Sequence, residues 1–436
     1  MTAAPRTPTK TAETKRAQKT LAETEATETM AAETKPAEAE PATPSPATPS
    51  PVTPSPVTPS PVMPSPVTPA PSRRLPARQS ARTVGLLLRD GMRGLAQLVR
   101  TLFLQGESWL LDRKRATYGL AVTRMLLGLM IFGTLATNFS TRLYTFGAGA
   151  AWTGQLEYPS SDFSSIWPFN IFAQVAGNDI VFTELYLLLA LCAVLFAIGY
   201  RTRLVMIPLF ILWVGFVEVN EYVSDQSDNL TRIALIAMFF TSPAERWSMD
   251  ALRRRRFAGR RSAWPIRLWR FQRVLPLWST NLAHNLAIVV LACQVSFIYV
   301  SGGLYKAGGA PWSGGWAIYD PIHVEQFGTW PELSALVTAW APAVAFATLL
   351  TLLVQVSFPL LLLRRGTRIF ALVVMLGFHV GIAILMGLPW FSLAMIAIDS
   401  IFIRDVTWRH MSQGLRRAWL RSAPDSAPTS AHIQEK

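Results

Sequence analysis

Hydrophobic positions in this chain come in long runs, not in alternation. Eight stretches are apolar over most of their length, at about 118–137, 182–200, 204–219, 229–242, 283–300, 342–363, 367–388 and 389–403. Runs of that length predict helices that cross a bilayer, because about 20 apolar residues span its hydrocarbon core. The expected fold is an all-α polytopic membrane protein with about eight transmembrane helices. The fourth and eighth stretches are short for a full crossing.

Charge between the runs alternates in sign. Arg113, Lys114 and Arg115 precede the first run, and Arg201 with Arg203 follow the second. Arg253 to Arg256, Arg260, Arg261, Arg267, Arg270 and Arg273 follow the fourth, Arg364, Arg365 and Arg368 the sixth, and Arg404, Arg409, Arg416 and Arg417 the eighth. The other loops carry Glu157, Asp162 and Asp179, then Asp225 and Asp228, then Asp320, Glu325 and Glu332. Basic loops stay on the cytoplasmic side. The pattern therefore predicts a multi-pass plasma-membrane protein with both termini cytoplasmic and the Gly- and Trp-rich loop 301–341 outside.

The chain ahead of the first run is of another kind. Residues 1–81 read as a disordered, low-complexity tail, in which TPSPA and TPSPV units recur with a five-residue period over 43–71. Proline at that density removes backbone donors and favours an extended polyproline II spacer. Docking to a cytoplasmic Pro-motif-binding partner is the alternative role. Residues 82–114 mix Arg with Leu, Phe and Trp at near-helical spacing and predict an amphipathic interfacial helix. Residues 115–405 form the transmembrane domain, and 406–436 a basic cytoplasmic tail.

Composition agrees with a bilayer as the surrounding medium. Half of the 436 residues are apolar, 11% are aromatic and 16% are charged. The net charge of +14 sits in loops between apolar runs rather than in one basic module, which argues against a nucleic-acid partner. Cys192 and Cys293 both fall inside apolar runs, and no His or Cys spacing suits a metal.

Charge inside hydrocarbon is costly and needs a partner or a cavity. Arg124 in the first run and Asp399 in the eighth lie at matching depth and are expected to form a structural ion pair. Glu218 ends the third run and Arg232 begins the fourth, with Asp228 between them, and the pair is expected to face each other near the outer surface. His379 sits mid-way along the seventh run with Gly377 and Gly381 beside it. Those small neighbours would let another helix approach and offer the imidazole a partner. Gln355 and Pro359 in the sixth run would add a polar patch and a kink.

The densest chemistry lies at the end of the fifth run, QVSFIYVSGGLYKAGGAPWSGGWAIYDPIHVEQF over 294–327. Lys306 is the one basic residue there, flanked by Gly302, Gly303, Gly308 and Gly309. Burial of a lysine disfavours its charged form, which turns the side chain into a base. The competing reading is a lysine that snorkels to the interface.

Tyr299, Gly303, Leu304, Lys306, Trp312, Gly315, Ala317 and Tyr319 together resemble the signature of the HTTM family. These are bacterial membrane proteins related to the membrane domain of vitamin K-dependent γ-glutamyl carboxylase. The Lys-to-Trp interval is one residue longer here, and the FHxGIAxxMGLxxF pattern around His379 is a second point of likeness. The resemblance implies that Lys306 is a catalytic base acting on a quinol-type cofactor, with His379 beside it and Glu218, Arg232, Asp228, Trp312 and Tyr319 shaping the pocket. It departs from the carboxylase where the fourth run begins, since Asp228, Asn229 and Arg232 stand where that enzyme has a histidine. Three roles follow as expectations: a carboxylase-like modifying enzyme with an exported peptide or protein as substrate; a maturation factor for an exported peptide or toxin, as in the sporulation-delaying protein B group; or a transporter or scaffold.

Overall fold

The structure, a computed structural model, describes residues 77–156, 162–256 and 275–422. The Pro-rich repeats, Glu157, the arginines between 260 and 273 and the end of the basic tail lie outside the described residues. Among the described residues every regular element is helical. Ten helices have ten or more residues: α1 (Ala77–Leu111), α2 (Thr117–Thr137), α3 (Asp179–Ile198), α4 (Thr202–Val217), α5 (Gln226–Phe240), α6 (Leu277–Ala307), α7 (Ala341–Leu361), α8 (Arg365–Leu385), α9 (Pro389–Asp399) and α10 (Asp405–Ser422).

Each of the eight apolar runs is a helix, α2 to α9. Five of them (α2, α3, α6, α7 and α8) are long and apolar enough to cross a membrane. The apolar helices α4 and α9 are shorter, α9 continuing through a tight turn to Phe402. With 15 residues, α5 rises about 22 Å, short of a hydrocarbon core of about 30 Å.

Consecutive helices from α2 to α9 pack on one another, and α9 returns to pack on α2. The ring is therefore closed. Its last member, the short α9, also reaches inward to α5 and α6. The core is aliphatic and aromatic, with Phe172, Phe182, Tyr186 and Phe216 in edge-to-face contact near one end.

Helix starts are capped in two ways. Asn178 caps α3 by accepting from the amides of Ile180 and Val181, and Asp225 with Asp228 forms a capping box at α5. These caps are local. The caps of α2 and α4 come from far along the chain. Asp405 accepts from the amides of Thr117 and Tyr118 at 3.2 and 2.9 Å, and Asp250 from those of Arg201 and Thr202 at 3.0 and 2.9 Å.

Arg124 holds this arrangement together. Its side chain is fully buried. It donates to the carbonyls of Phe196 (2.8 Å) and Ala197 at the end of α3, and to those of Pro243 (3.2 Å) and Trp247 (2.7 Å) in the α5–α6 connection. Phe196 and Ala197 belong to the last turn of α3, where a cation is favoured by both hydrogen bonding and the helix dipole, and the Phe196 carbonyl also accepts from the amide of Gly199 at 3.0 Å. Gly199 makes the approach possible: its φ is +72°, and a Cβ there would lie 2.6 Å from a guanidinium nitrogen of Arg124.

The expected Arg124–Asp399 ion pair is not formed. Thr123, not Arg124, faces α9, with its hydroxyl 2.9 Å from that of Ser400. One residue further on, a helix side chain has turned by about 100°, so Arg124 points at α3 instead.

Arg124→Lys keeps the charge but offers a point donor where a fork reaches four carbonyls. Each charge-assisted hydrogen bond lost is expected to cost about 1.5–3 kcal/mol. The detergent-solubilised variant should melt several degrees below the wild type. An unchanged melting curve would show that the clasp is not the anchor.

Candidate functional site

Three residues on one face of α6 define the site. Tyr299, Gly303 and Lys306 are spaced i, i+4 and i+7, so they lie along one side of the helix over about 10 Å. The middle one is a glycine for a steric reason. A Cβ on Gly303 would lie 2.9 Å from Cγ2 of Val356 and 3.1 Å from Cβ of Gln355. Its absence lets α7 come close and brings Gln355 alongside Lys306.

Lys306 is half-buried. Its Nζ donates to Oε1 of Gln355 at 3.0 Å and lies 5.1 Å from the ring centre of Trp312 and 5.3 Å from that of Phe378. Among the described residues no carboxylate pairs with it. An amine between two aromatic faces is held by their quadrupoles and by one neutral amide.

Below Lys306, toward the basic end of α6, lies a buried polar trio. The hydroxyl of Tyr299 is 2.7 Å from Oδ2 of Asp399 on α9 and 3.1 Å from Nε2 of His379 on α8. Tyr299, His379 and Asp399 are 3%, 1% and 8% exposed, so this is a polar knot between three apolar helices. A tyrosine hydroxyl has one proton. If it goes to Asp399, His379 must donate through Nε2; if it goes to His379, Asp399 must carry a proton of its own. His379 Nδ1 and Asp399 Oδ1 are buried without a hydrogen-bond partner among the described residues. Two polar atoms in that state are expensive in an apolar interior.

The remaining site candidates distribute differently. Glu218 and Arg232 form an ion pair with Glu218 almost fully buried, and the Arg232 guanidinium lies 5.2 Å from the ring of Phe163. No hydrogen bond or ion pair links them to Lys306. Asp228 accepts from the amide of Asp225 (2.9 Å) and the hydroxyl of Ser224 (3.1 Å), as the N3 member of the capping box at α5. Tyr319 stacks on His323 with ring centres 4.1 Å apart, leaving Trp312 as the loop residue against Lys306. Gly377 and Gly381 meet nothing within 4 Å. The neighbours of His379 are instead Tyr299 of α6 and Phe391 of α9. Among the described residues no group of three or more His, Cys, Asp or Glu side chains is arranged to hold a metal ion.

Tyr299 and Asp399 are the site residues that sequence reasoning did not join. Their partnership needs α9 to end inside the ring, which no local pattern announces. A second structural node was also silent in the sequence. His284 is fully buried, accepts from the amide of Ser242 through Nδ1 (3.0 Å) and so donates through Nε2 to the carbonyl of Arg115 (2.8 Å). Asn285 beside it donates to the carbonyls of Leu110 and Arg113 at 2.8 and 2.9 Å and so covers the end of α1.

A closed ring of apolar helices around buried polar groups defines a multi-pass integral membrane protein. A model of the HTTM domain matches residues 113–408, well over half of the chain, and the protein belongs to the HTTM family. No curated protein and no solved structure matches significantly.

Tyr299→Phe removes the hydroxyl that serves both neighbours and should destabilise the protein by about 1–3 kcal/mol. Asp399→Leu added to Tyr299→Phe should recover part of that loss, since the orphaned carboxyl is gone as well. Thermal midpoints of the two single variants and the double in detergent give the coupling. Strict additivity would rule out the shared hydrogen bond.

Proposed function

We propose that this protein is a membrane enzyme in which Lys306 acts as a base on an acidic hydroxyl of a quinol-type molecule, in the service of modifying an exported peptide or protein. One observation carries the reading. Lys306 is half-buried, is hydrogen-bonded to the neutral amide of Gln355 and stands between the rings of Trp312 and Phe378. A carboxylate partner would tie up the ammonium, whereas an amide leaves the amine free to exchange a proton with a bound hydroxyl.

The residues suit a flat aromatic alcohol. Trp312 and Phe378 offer ring faces for stacking, and the unpartnered His379 Nδ1 offers a hydrogen-bonding atom on the chain neighbour of Phe378. When bound, a quinol would supply the acidic hydroxyl and the reducing power that drives carboxylation of a peptide glutamate in the related carboxylase. Lys306 in its neutral form would take the hydroxyl proton and become an ammonium, with Gln355 Oε1 accepting one of its three N–H groups. Tyr299 would hold His379 in position, and the buried Asp399 would hold Tyr299.

In this reading all eight helices α2–α9 cross the bilayer, both termini are cytoplasmic, and the Lys306 end faces the outside of a bacterial plasma membrane. The support is the charge asymmetry. Arg201, Arg203, Arg253 and Arg404 lie at one end of the helices, and Asp179, Asp225, Asp320 and Glu332 at the other. The short helices α4, α5 and α9 would cross where neighbours thin the hydrocarbon layer. The proposed domain limits are the tail over 1–81, the interfacial helix over 82–114, the membrane domain over 115–405 and the basic tail over 406–436.

The test compares exported peptides and proteins by mass spectrometry from cells with wild-type protein, Lys306→Ala and Lys306→Arg, after equal membrane abundance has been established. Loss in both variants of a product heavier by one carboxyl group is the expected result. Loss of a processed peptide without that mass difference would favour a maturation factor. An unchanged set of exported products in both variants would overturn the base role.

A further inference from the structure

A second cavity, away from Lys306, is formed by the described residues. It has a volume of about 1540 Å³ and lies at the basic end of the ring, between the end of α1, the first two thirds of α6, the end of α7 and the segment 401–409. Its deep wall is apolar: Ile288, Val289 and Ala292 of α6, Leu362 and Leu363 after α7, and Phe402. From Ile288 to Ser296 the α6 wall rises about 12 Å, close to one leaflet of a hydrocarbon core of about 30 Å.

The mouth is cationic. Arg113, Arg115, Arg246, Arg368, Arg404 and Arg409 line it. The carboxylates beside them have other bonded partners, although the charge of Asp112 also acts on Arg115. Glu245 pairs with Lys114 at 3.3 Å, Asp405 caps α2, and Asp112 accepts from the hydroxyl of Ser108. Among the described residues none of the six arginines has a carboxylate partner. Two carry a more pointed signal. The Nε atoms of Arg115 and Arg246 are buried without a hydrogen-bond acceptor. Their guanidinium groups lie 5.9 Å from the Trp109 ring centre and 5.1 Å from that of Tyr118. A ring face steadies a guanidinium but gives its N–H no lone pair. Burial, and then the neighbouring Arg113, push Arg115 below its ordinary range, with Asp112 offsetting part of the shift; a bound anion would relieve the remainder.

We propose that this cavity is a binding site for an anionic diacyl phospholipid, with the phosphate held between Arg115 and Arg246 and an acyl chain laid along the α6–α7 wall. Basic pockets between membrane helices on the positively charged side take such headgroups. A free anion needs the arginines alone. The apolar wall one leaflet deep, continuous with the mouth, selects the lipid. The site shares no residue with the Lys306 centre, and its test is independent of that centre's activity.

The full-length protein, delipidated in neutral detergent, would be titrated with phosphatidylglycerol, with phosphatidylcholine of the same acyl chains and with inorganic phosphate. Native mass spectrometry reads the lipid retained per protein. Phosphatidylglycerol should be retained and phosphatidylcholine lost. Arg115→Gln and Arg246→Gln should each weaken retention roughly fivefold. Cys293→Trp, an exposed α6 position on the same wall, should weaken it with no change in charge. Arg364→Gln with Arg365→Gln, at the same end but off the cavity, should not. If Arg115→Gln fails to insert, the exposed pair Arg404→Gln with Arg409→Gln carries the same test. Equal retention of the two lipids, or equal loss in the control pair, would overturn the site. Displacement of phosphatidylglycerol by inorganic phosphate together with no effect of Cys293→Trp would overturn the lipid as occupant.

Discussion

One buried guanidinium sets the terms for the whole ring. Arg124 lies among apolar helices where no water competes for its donors, so each must find an acceptor in the chain. The acceptors are backbone carbonyls at the end of α3 and in the connection after α5, where the helical ladder stops. The bond is mutual. Arg124 needs carbonyls to be buried at all, and the last turn of α3 gains a donor for the carbonyl of Ala197. This ties α2 to α3 and to the α5–α6 connection, and it demands a left-handed glycine at position 199.

The same rule explains the trio of Tyr299, His379 and Asp399, with the opposite outcome. There the polar groups satisfy one another only in part, and one atom on each of the two outer members is left over. Four backbone carbonyls around Arg124 make an anchor, whereas the trio keeps two buried polar atoms without a partner among the described residues. The glycine at 303 extends the contrast. It admits α7 to α6 at the level where Gln355 meets Lys306, so the amine has a neutral partner rather than an ionic one.

A single helix, α6, carries three different jobs along its length. Its first turns hold Asn281, His284 and Asn285, which capture the end of α1 and the link to α2. Its middle forms the apolar wall of the large cavity, and its last turns present Tyr299, Gly303 and Lys306. Its 31 residues exceed what a straight crossing requires. The extra length lets one rigid element connect the basic end to the lysine site.

Much of the architecture was legible in the chain because it depends on local composition. Apolar runs specify helices in an apolar medium whatever their neighbours do, so all eight runs appear as helices. The family follows from a local motif around Lys306, which the match over residues 113–408 bears out. Pairings across the ring were not legible. Arg124 and Asp399 share a depth but not a direction, and direction depends on the rotation of each helix about its own axis, which only packing decides. For the same reason Gly303 meets a neighbour while Gly377 and Gly381 do not, and Asp405 caps a helix that begins nearly 300 residues earlier. The sequence by itself determined which segments would be helices and which residues were too polar to be left unattended. The tertiary structure alone decided which of those residues would meet, because a hydrogen bond requires both distance and orientation, and neither is encoded in the spacing along one chain.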